Sequence, residues 1–352
     1  MFHIKMKYIL FFLFSLIFCA QRSDVYFTKN ITSETIVEMY KLLNVTLTGN
    51  IGLKVHSGEP NGPYFLRREL LKDIYDYTQG TFIECNVAYN SKRLNTSTHK
   101  ETLQTNGWLV DNTRFEIMDE IPEDDISITL SKYNKIKISY AGKHLEKYDS
   151  CIVLSHFKGH GMGGFGGALK QLSIGFASRS GKTWIHTAGE SLNYSELFDK
   201  KASQPDFTAS MADAASGIIN YFKSKDNGGI VYINVLANIS IDCDCAGLRA
   251  KEPEIHNIGI LASTDPVAID QACYDLIKKT KDKGTQDWLN RVSDLEGLNI
   301  IDSAVKLNIG NKAYNLIKLD GDDEDTDGGN TGNSSFINLS LSLISLLLLM
   351  FI

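Results

Sequence analysis

SCIVLSHFKGHGMGGFGGALK, Ser150 to Lys170, is the stretch on which the fold turns. Cys151 to Leu154 is a short apolar run of the kind found in strands buried on both faces. Two histidines, His156 and His160, flank Lys158, and five glycines fall between Gly161 and Gly167 before a helical pattern begins. Each ordered glycine costs backbone entropy. So many together mark a place where something approaches the backbone closely or where the chain makes unusual turns.

The same grammar extends outward. Ile51–Val55 reads as a strand, and a helix is expected from Pro63, with Leu66, Leu70, Ile74 and Tyr77 on one face. Thr81–Tyr89 reads as a strand and His99–Trp108 as a short helix. Phe115–Asp119, Ile126–Leu130 and Lys135–Tyr140 read as strands of a meander. Phe207, Met211, Ala215, Ile218 and Phe222 recur at helical spacing. Ile230–Val235 and Ile258–Ala262 are further buried strands, and Asp265-Pro266 caps a helix over Val267–Lys278. Alternating apolar strands and helices predict an α/β fold, three layers with a largely parallel or mixed sheet flanked by helices. Ligands in such folds bind at the carboxyl ends of strands. The glycine loop, Asp242-Cys243-Asp244-Cys245 and the Asp265 turn each follow a strand, so they are expected to meet in one crevice.

The chain of 352 residues is 43% hydrophobic with a net charge of −6, which fits a globular protein with a sizeable core. A sequence pI of 5.8 and the lack of a basic stripe exclude a nucleic-acid partner. Lys5 and Lys7, the apolar run Tyr8–Phe18 and the small residues Cys19 and Ala20 read as a signal peptide over 1–20. Residues 21–49 read as an N-terminal extension, 50–310 as the α/β domain and 320–335 as an acidic Gly-rich stalk. The hydrophobic tail 336–352 has no Lys or Arg after it. That pattern suits a glycolipid anchor attached near Gly328, Gly329 and Asn330, or else a short membrane helix. Asn30, Asn44, Asn95, Asn193 and Asn238 each begin N-x-S/T. Together these place the protein in the secretory pathway, as a glycoprotein at the cell surface, membrane-anchored at its C-terminus.

Gly161–Gly166 satisfies G-x-G-x-x-G, yet six residues separate Leu154 from Gly161 and no acidic strand tip follows, which disfavours a dinucleotide. Gly181-Lys182-Thr183 lacks the spacing of a P-loop. What survives is an anion site: Lys158 and Lys182 with the backbone of Gly163, Gly164, Gly166 and Gly167 at a helix start. The alternative is a tight structural turn. His156, His160, Cys243 and Cys245 are candidate transition-metal ligands, with His186 nearby. Against this, a Cys243–Cys245 disulfide would close a very small ring, and Cys85 and Cys151 are other pairing choices. Cys273 falls on an apolar helix face and reads as core. Asp323, Asp325 and Asp327 resemble half a calcium loop, but position twelve is Ser334, so the segment reads as solvated stalk.

KVHSGE (Lys54–Glu59), LSHFKGHGMGGFGGALKQLSIG (Leu154–Gly175), SGKTWIH (Ser180–His186), DCDC (Asp242–Cys245) and IGILASTDPVAIDQACYDL (Ile258–Leu276) together resemble the domain of unknown function 362 family. The resemblance covers about residues 50–310 and implies no settled activity. Some members carry C-x-x-C-x-x-C inserts and look like iron–sulfur proteins; no ferredoxin-type cluster motif occurs in this chain. Three functions follow as expectations. One is an enzyme acting on a small anionic ligand, with or without a transition metal. The second is a non-catalytic surface binding or adhesion protein on an enzyme scaffold, and the third an iron–sulfur or metal electron carrier.

Overall fold

The computed structural model describes residues 22–321 except 122, 123 and 227. The expected signal peptide 1–20, nearly all of the stalk, the tail 336–352 and the attachment residues Gly328, Gly329 and Asn330 lie outside the described residues. The strands are β1 (Ser23–Thr28), β2 (Ile51–Lys54), β3 (Thr81–Glu84), β4 (Phe115–Ile117), β5 (Asp125–Thr129), β6 (Ile138–Gly142), β7 (Ser150–His156), β8 (Lys158–His160), β9 (Gly164–Gly166), β10 (Gly229–Leu236), β11 (Gly259–Ser263) and β12 (Tyr314–Lys318). The helices are α1 (Ser33–Leu42), α2 (Lys72–Thr78), α3 (Thr96–Thr105), α4 (Ala168–Lys170), α5 (Arg179–His186), α6 (Gln204–Lys223), α7 (Pro266–Lys279), α8 (Thr285–Asp294) and α9 (Asn299–Lys306). No helix of the described residues is long and apolar enough to cross a membrane.

Eight strands form one sheet in the order β12-β1-β11-β10-β7-β2-β3-β4. β10, β7, β2, β3 and β4 are mutually parallel, while β11 runs antiparallel to both of its neighbours. The protein is therefore α/β with a mixed, mostly parallel sheet flanked by helices. β7 is buried along its whole length. Cys151 and Val153 join the larger apolar cluster, with α6, α7 and α9, while Ile152 and Leu154 join the other, with α1, α2 and Trp108. This is why its sequence is continuously apolar rather than alternating.

Four expectations change. The helix expected from Pro63 begins only after a 3₁₀ turn at Arg68–Leu71. The expected meander does not form: β4 extends the main sheet beside β3, while β5 and β6 pair separately. Residues 21–49 are no appendage, because β1 sits between β11 and β12. Finally, β11 points the other way, so the Asp265 turn leaves from the opposite edge of the sheet to the glycine loop. Asp265 does cap α7 as expected, accepting from the Val267 and Ala268 N–H groups at 2.8 and 3.0 Å.

Candidate functional site

The chain runs from β2 to β3 to β4 in one direction across the sheet and from β7 to β10 in the other, so the strand order reverses between β2 and β7. A crevice forms at the carboxyl edge of such a reversal. A cavity of about 260 Å³ lies there. His56 arrives from the end of β2, Glu84 and Cys85 from β3, and His160 from β8. Lys170 comes from α4, Lys182 and His186 from α5, and Cys243 and Cys245 from the loop after β10. Met162, Ile174, Leu197 and Phe198 supply apolar wall. The expected meeting of the segments around residues 160, 186 and 244 is thus realised.

Two buried ionic clusters frame the cavity. Glu84, at the end of β3, receives Ser57 Oγ at 2.5 Å and Arg93 Nη2 at 2.8 Å, with His99 Nε2 at 3.2 Å. Burial pushes its carboxyl up, but Arg93 and His99 overcome that and hold it well below the usual range. Arg93 also reaches Glu59 at 3.3 Å, and its Nε has no hydrogen-bond partner. In the second cluster, Asp244 meets His156 Nδ1 at 2.9 Å and Lys158 Nζ at 2.8 Å. Burial opposes its ionisation, yet His156 and Lys158 keep its carboxyl well below the usual range.

His156 is thereby withdrawn from the expected metal set. Its Nδ1 is taken by Asp244, and its Nε2 lies 2.7 Å from the Ala237 carbonyl. Lys158, expected to hold an anion, is neutralised by the protein's own Asp244. The glycine loop is spent similarly. The Gly163 N–H donates to His160, and Gly164 and Gly166 pair β9 with β8. Gly167 is the N-cap of α4, whose first N–H groups, at Ala168 and Leu169, donate to the Asp270 carboxylate at 2.7 and 2.9 Å. The anion that suits this loop is an internal side chain, a correction to the external ligand expected there. Lys182 stays at the cavity, donating to the Ala177 carbonyl at 2.5 Å.

Hydrogen bonding fixes the imidazoles in different tautomers. His160 Nδ1 accepts from the Met162 and Gly163 N–H groups at 3.1 and 2.9 Å, so its Nε2 carries the proton. His186 Nδ1 lies 2.7 Å from the Lys182 carbonyl and must donate, which leaves its Nε2 a bare acceptor. Burial, with Lys170 close to both, keeps His160 well below its ordinary value and brings His186 to about 4, so both rings are neutral. Burial, joined by the Lys158 ammonium, lowers the Lys170 amine to about 7. Lys170 is half-buried and lines the cavity, and its amine makes no hydrogen bond or ion pair among the described residues.

Cys243 and Cys245 form a disulfide. Their sulfurs and a His160 ring nitrogen lie within 4.8 Å of one another, a group that could hold a metal ion. In this state the fit is poor. Disulfide sulfurs lack the thiolate charge a metal needs, and a metal-bound histidine normally donates through its other nitrogen, whereas His160 Nδ1 accepts. The cluster expectation loses its ligands too, since Cys85, Cys151 and Cys273 are buried free thiols, each raised by burial. What brings the disulfide to His160 is backbone packing: the Gly159 N–H donates to the Ser240 carbonyl at 2.8 Å. A Cβ at Gly159 would collide with the Ile241 backbone. A loop this short constrains little of the unfolded chain, so the bond stabilises by only about 1–2 kcal/mol on the chain-entropy model, against about 3 for a 15-residue loop.

Sequence reasoning missed Lys170, Arg93, Glu84 and Asp270. Glu84 was signalled by an acidic residue closing the apolar run Thr81-Phe82-Ile83, and Asp270 by a carboxylate on an otherwise apolar helix face. Nothing local marks Lys170 or Arg93.

Fold and site together define an α/β protein with a cavity lined by histidines, lysines and an arginine at the switch point of its sheet. The family model described as Domain of unknown function (DUF362) matches residues 51–275, and the chain belongs to that family. No curated protein matches it. Among solved structures it is similar to the lactate racemase apoprotein of Thermoanaerobacterium thermosaccharolyticum, at 15% identity and a TM-score of 0.41, over 71% of this chain and 57% of that one. It is also similar to a protein from Thermotoga maritima, at 13% identity and a TM-score of 0.35, over 78% and 59%. The chain thus spans less than two thirds of either, and at these scores neither likeness carries a functional argument.

Proposed function

We propose that this chain is an enzyme that binds a small anionic substrate, a carboxylate or phosphate, and moves a proton on it with Lys170 as base. The observation that carries this is an unpaired amine in a cavity rimmed by Arg93 and Lys182, lowered to about 7 and so partly neutral at physiological pH. A base is most useful when its pKa sits near the working pH. The unpartnered Arg93 Nε and the Lys182 ammonium favour the anion, His160 Nε2–H donates to it, and His186 Nε2 accepts a substrate hydroxyl. Thermal melting against phosphate, acetate, oxalate and pyruvate tests the binding. A saturating anion at a hundredfold excess over its Kd stabilises by about 2.7 kcal/mol. That gain should fall in Lys182→Met, whereas Lys170→Met should largely keep it and lose the proton transfer. If no anion raises the melting temperature, the proposal fails.

The same chain is exported, glycosylated and held at the cell surface by a C-terminal glycolipid near Gly328–Asn330. The five sequon asparagines among the described residues, Asn30, Asn44, Asn95, Asn193 and Asn238, are exposed, which suits that route. Release from intact cells by a phosphatidylinositol-specific phospholipase checks it; retention after treatment rejects the glycolipid.

A further inference from the structure

The Cys243–Cys245 disulfide stands in the wall of the cavity, with Cys243 nearly buried and Cys245 half-buried. Its loop is too short to make it an effective staple. The three other cysteines among the described residues are buried, with thiols that resist ionisation, so this pair alone presents sulfur chemistry poised for exchange. His160 lies beside both sulfurs. Its Nδ1 is pinned by two backbone N–H groups, which leaves Nε2–H as the donor. Lys182 and Arg93 line the same cavity and add positive charge, while Lys158 offsets the Asp244 carboxylate that lies between the two cysteines in sequence.

We propose that Cys243 and Cys245 are a thiol–disulfide exchange centre whose substrate is a low-molecular-weight thiol entering the cavity. A cavity of about 260 Å³ admits such a molecule. The thiolate of the first substrate attacks one cysteine sulfur, forming a mixed disulfide and expelling the other sulfur as a thiolate. His160 Nε2–H hydrogen-bonds that leaving thiolate, and the surrounding cations stabilise it. A second substrate thiolate attacks the mixed disulfide and releases the substrate disulfide. Two substrate thiols have then been oxidised, and their two electrons and two protons reside on Cys243 and Cys245 as thiols. The direction reverses with the poise of the surrounding thiol pool. Such a couple shares the cavity with the acid–base site proposed above but does not depend on it. Thiol counting reads the sulfurs alone and anion-dependent melting reads the cations of the cavity, so either can fail while the other stands.

The full chain, natively folded, is equilibrated in mixtures of glutathione and glutathione disulfide, quenched with iodoacetamide and weighed. Two alkylated residues, Cys243 and Cys245, should appear together as the mixture becomes reducing, and disappear on reoxidation. Cys243→Ser should trap glutathione on Cys245. His160→Gln, whose amide can still accept from the backbone, should slow exchange by about tenfold or more without moving the equilibrium ratio of thiol to disulfide. A disulfide that stays closed at every poise until the protein unfolds would overturn the proposal. So would a His160→Gln protein that exchanges at the native rate, or a reduced protein that retains one equivalent of zinc through His160.

Discussion

Lys170 has its pKa lowered in the fold, and the sign of the consequence is fixed by that. Above about 7 the folded amine is neutral while the unfolded one, with an ordinary value of 10.5, still holds its proton. The unfolded state therefore binds more protons between about pH 7 and 10, and Lys170 makes stability rise with pH there. Its burial penalty is fully present below pH 7. Lys170→Met should be more stable than the native chain at pH 6 and should lose that margin progressively by pH 9, as read by paired urea titrations. A margin that does not change with pH would place the amine in an ordinary aqueous setting. Asp270 is the opposite kind of residue, a carboxylate the fold uses as a clamp. It holds the Ala168 and Leu169 N–H groups and the Asn234 amide, although burial raises its carboxyl to about 6. Asp270→Ala strips the acceptor from buried donors and should cost about 1–3 kcal/mol, measured by chemical denaturation, with Lys170 displaced because α4 begins at those N–H groups.

β8 shows how an element can carry a site without supplying its chemistry. The strand is three residues long, yet it fixes His160 against the disulfide because Gly159 lies flat on the backbone of Ile241. Gly159→Ala forces the two segments apart and should destabilise by about 1–3 kcal/mol, as overpacking does. It should also slow the exchange of the Cys243–Cys245 pair more than Gly161→Ala, because a Cβ at Gly161 meets nothing within 4 Å. Melting curves and alkylation rates of the two variants make the comparison. The elements were legible where periodicity was strong: α6 and α7, together with β7, β10 and β11, follow from apolar spacing and the Asp265-Pro266 cap. They were illegible where tertiary pairing decides. β4 and β5 are both short runs of alternating apolar and polar residues, and only their partners assign one to the main sheet and the other to a separate pair. His156 and His160 were both visible as candidates. Which of them faces the cavity depends on Asp244 and Ala237, some eighty residues away, and no local spacing encodes that.

At the scale of the whole molecule the sheet is closed by both ends of the described chain. The family match spans residues 51–275, but β11 is completed by β1, which lies before that span, and β1 by β12, which lies after it. Ser23 and Asn311 are tied to this corner as well: the Ser23 hydroxyl donates to Asp265 at 2.7 Å and the Asn311 backbone N–H donates to it at 2.8 Å. Removing β1 and β12 would leave an antiparallel strand, Gly259–Ser263, as an unprotected edge with no charge on it, and such edges recruit other chains. It would also take Val25 and Phe27 out of the larger cluster and expose the apolar side chains packed around them, at about 25 cal/mol for each Å² of apolar surface returned to water. A protein trimmed to residues 51–275 should therefore aggregate or unfold, whereas one spanning 22–321 should melt cooperatively. Sedimentation and thermal melting of the two check this. If the shorter chain is monomeric and as stable as the longer, β1, β12 and the helices lost with them, α1, α8 and α9, are ornaments, and the minimal folding unit is the family span alone.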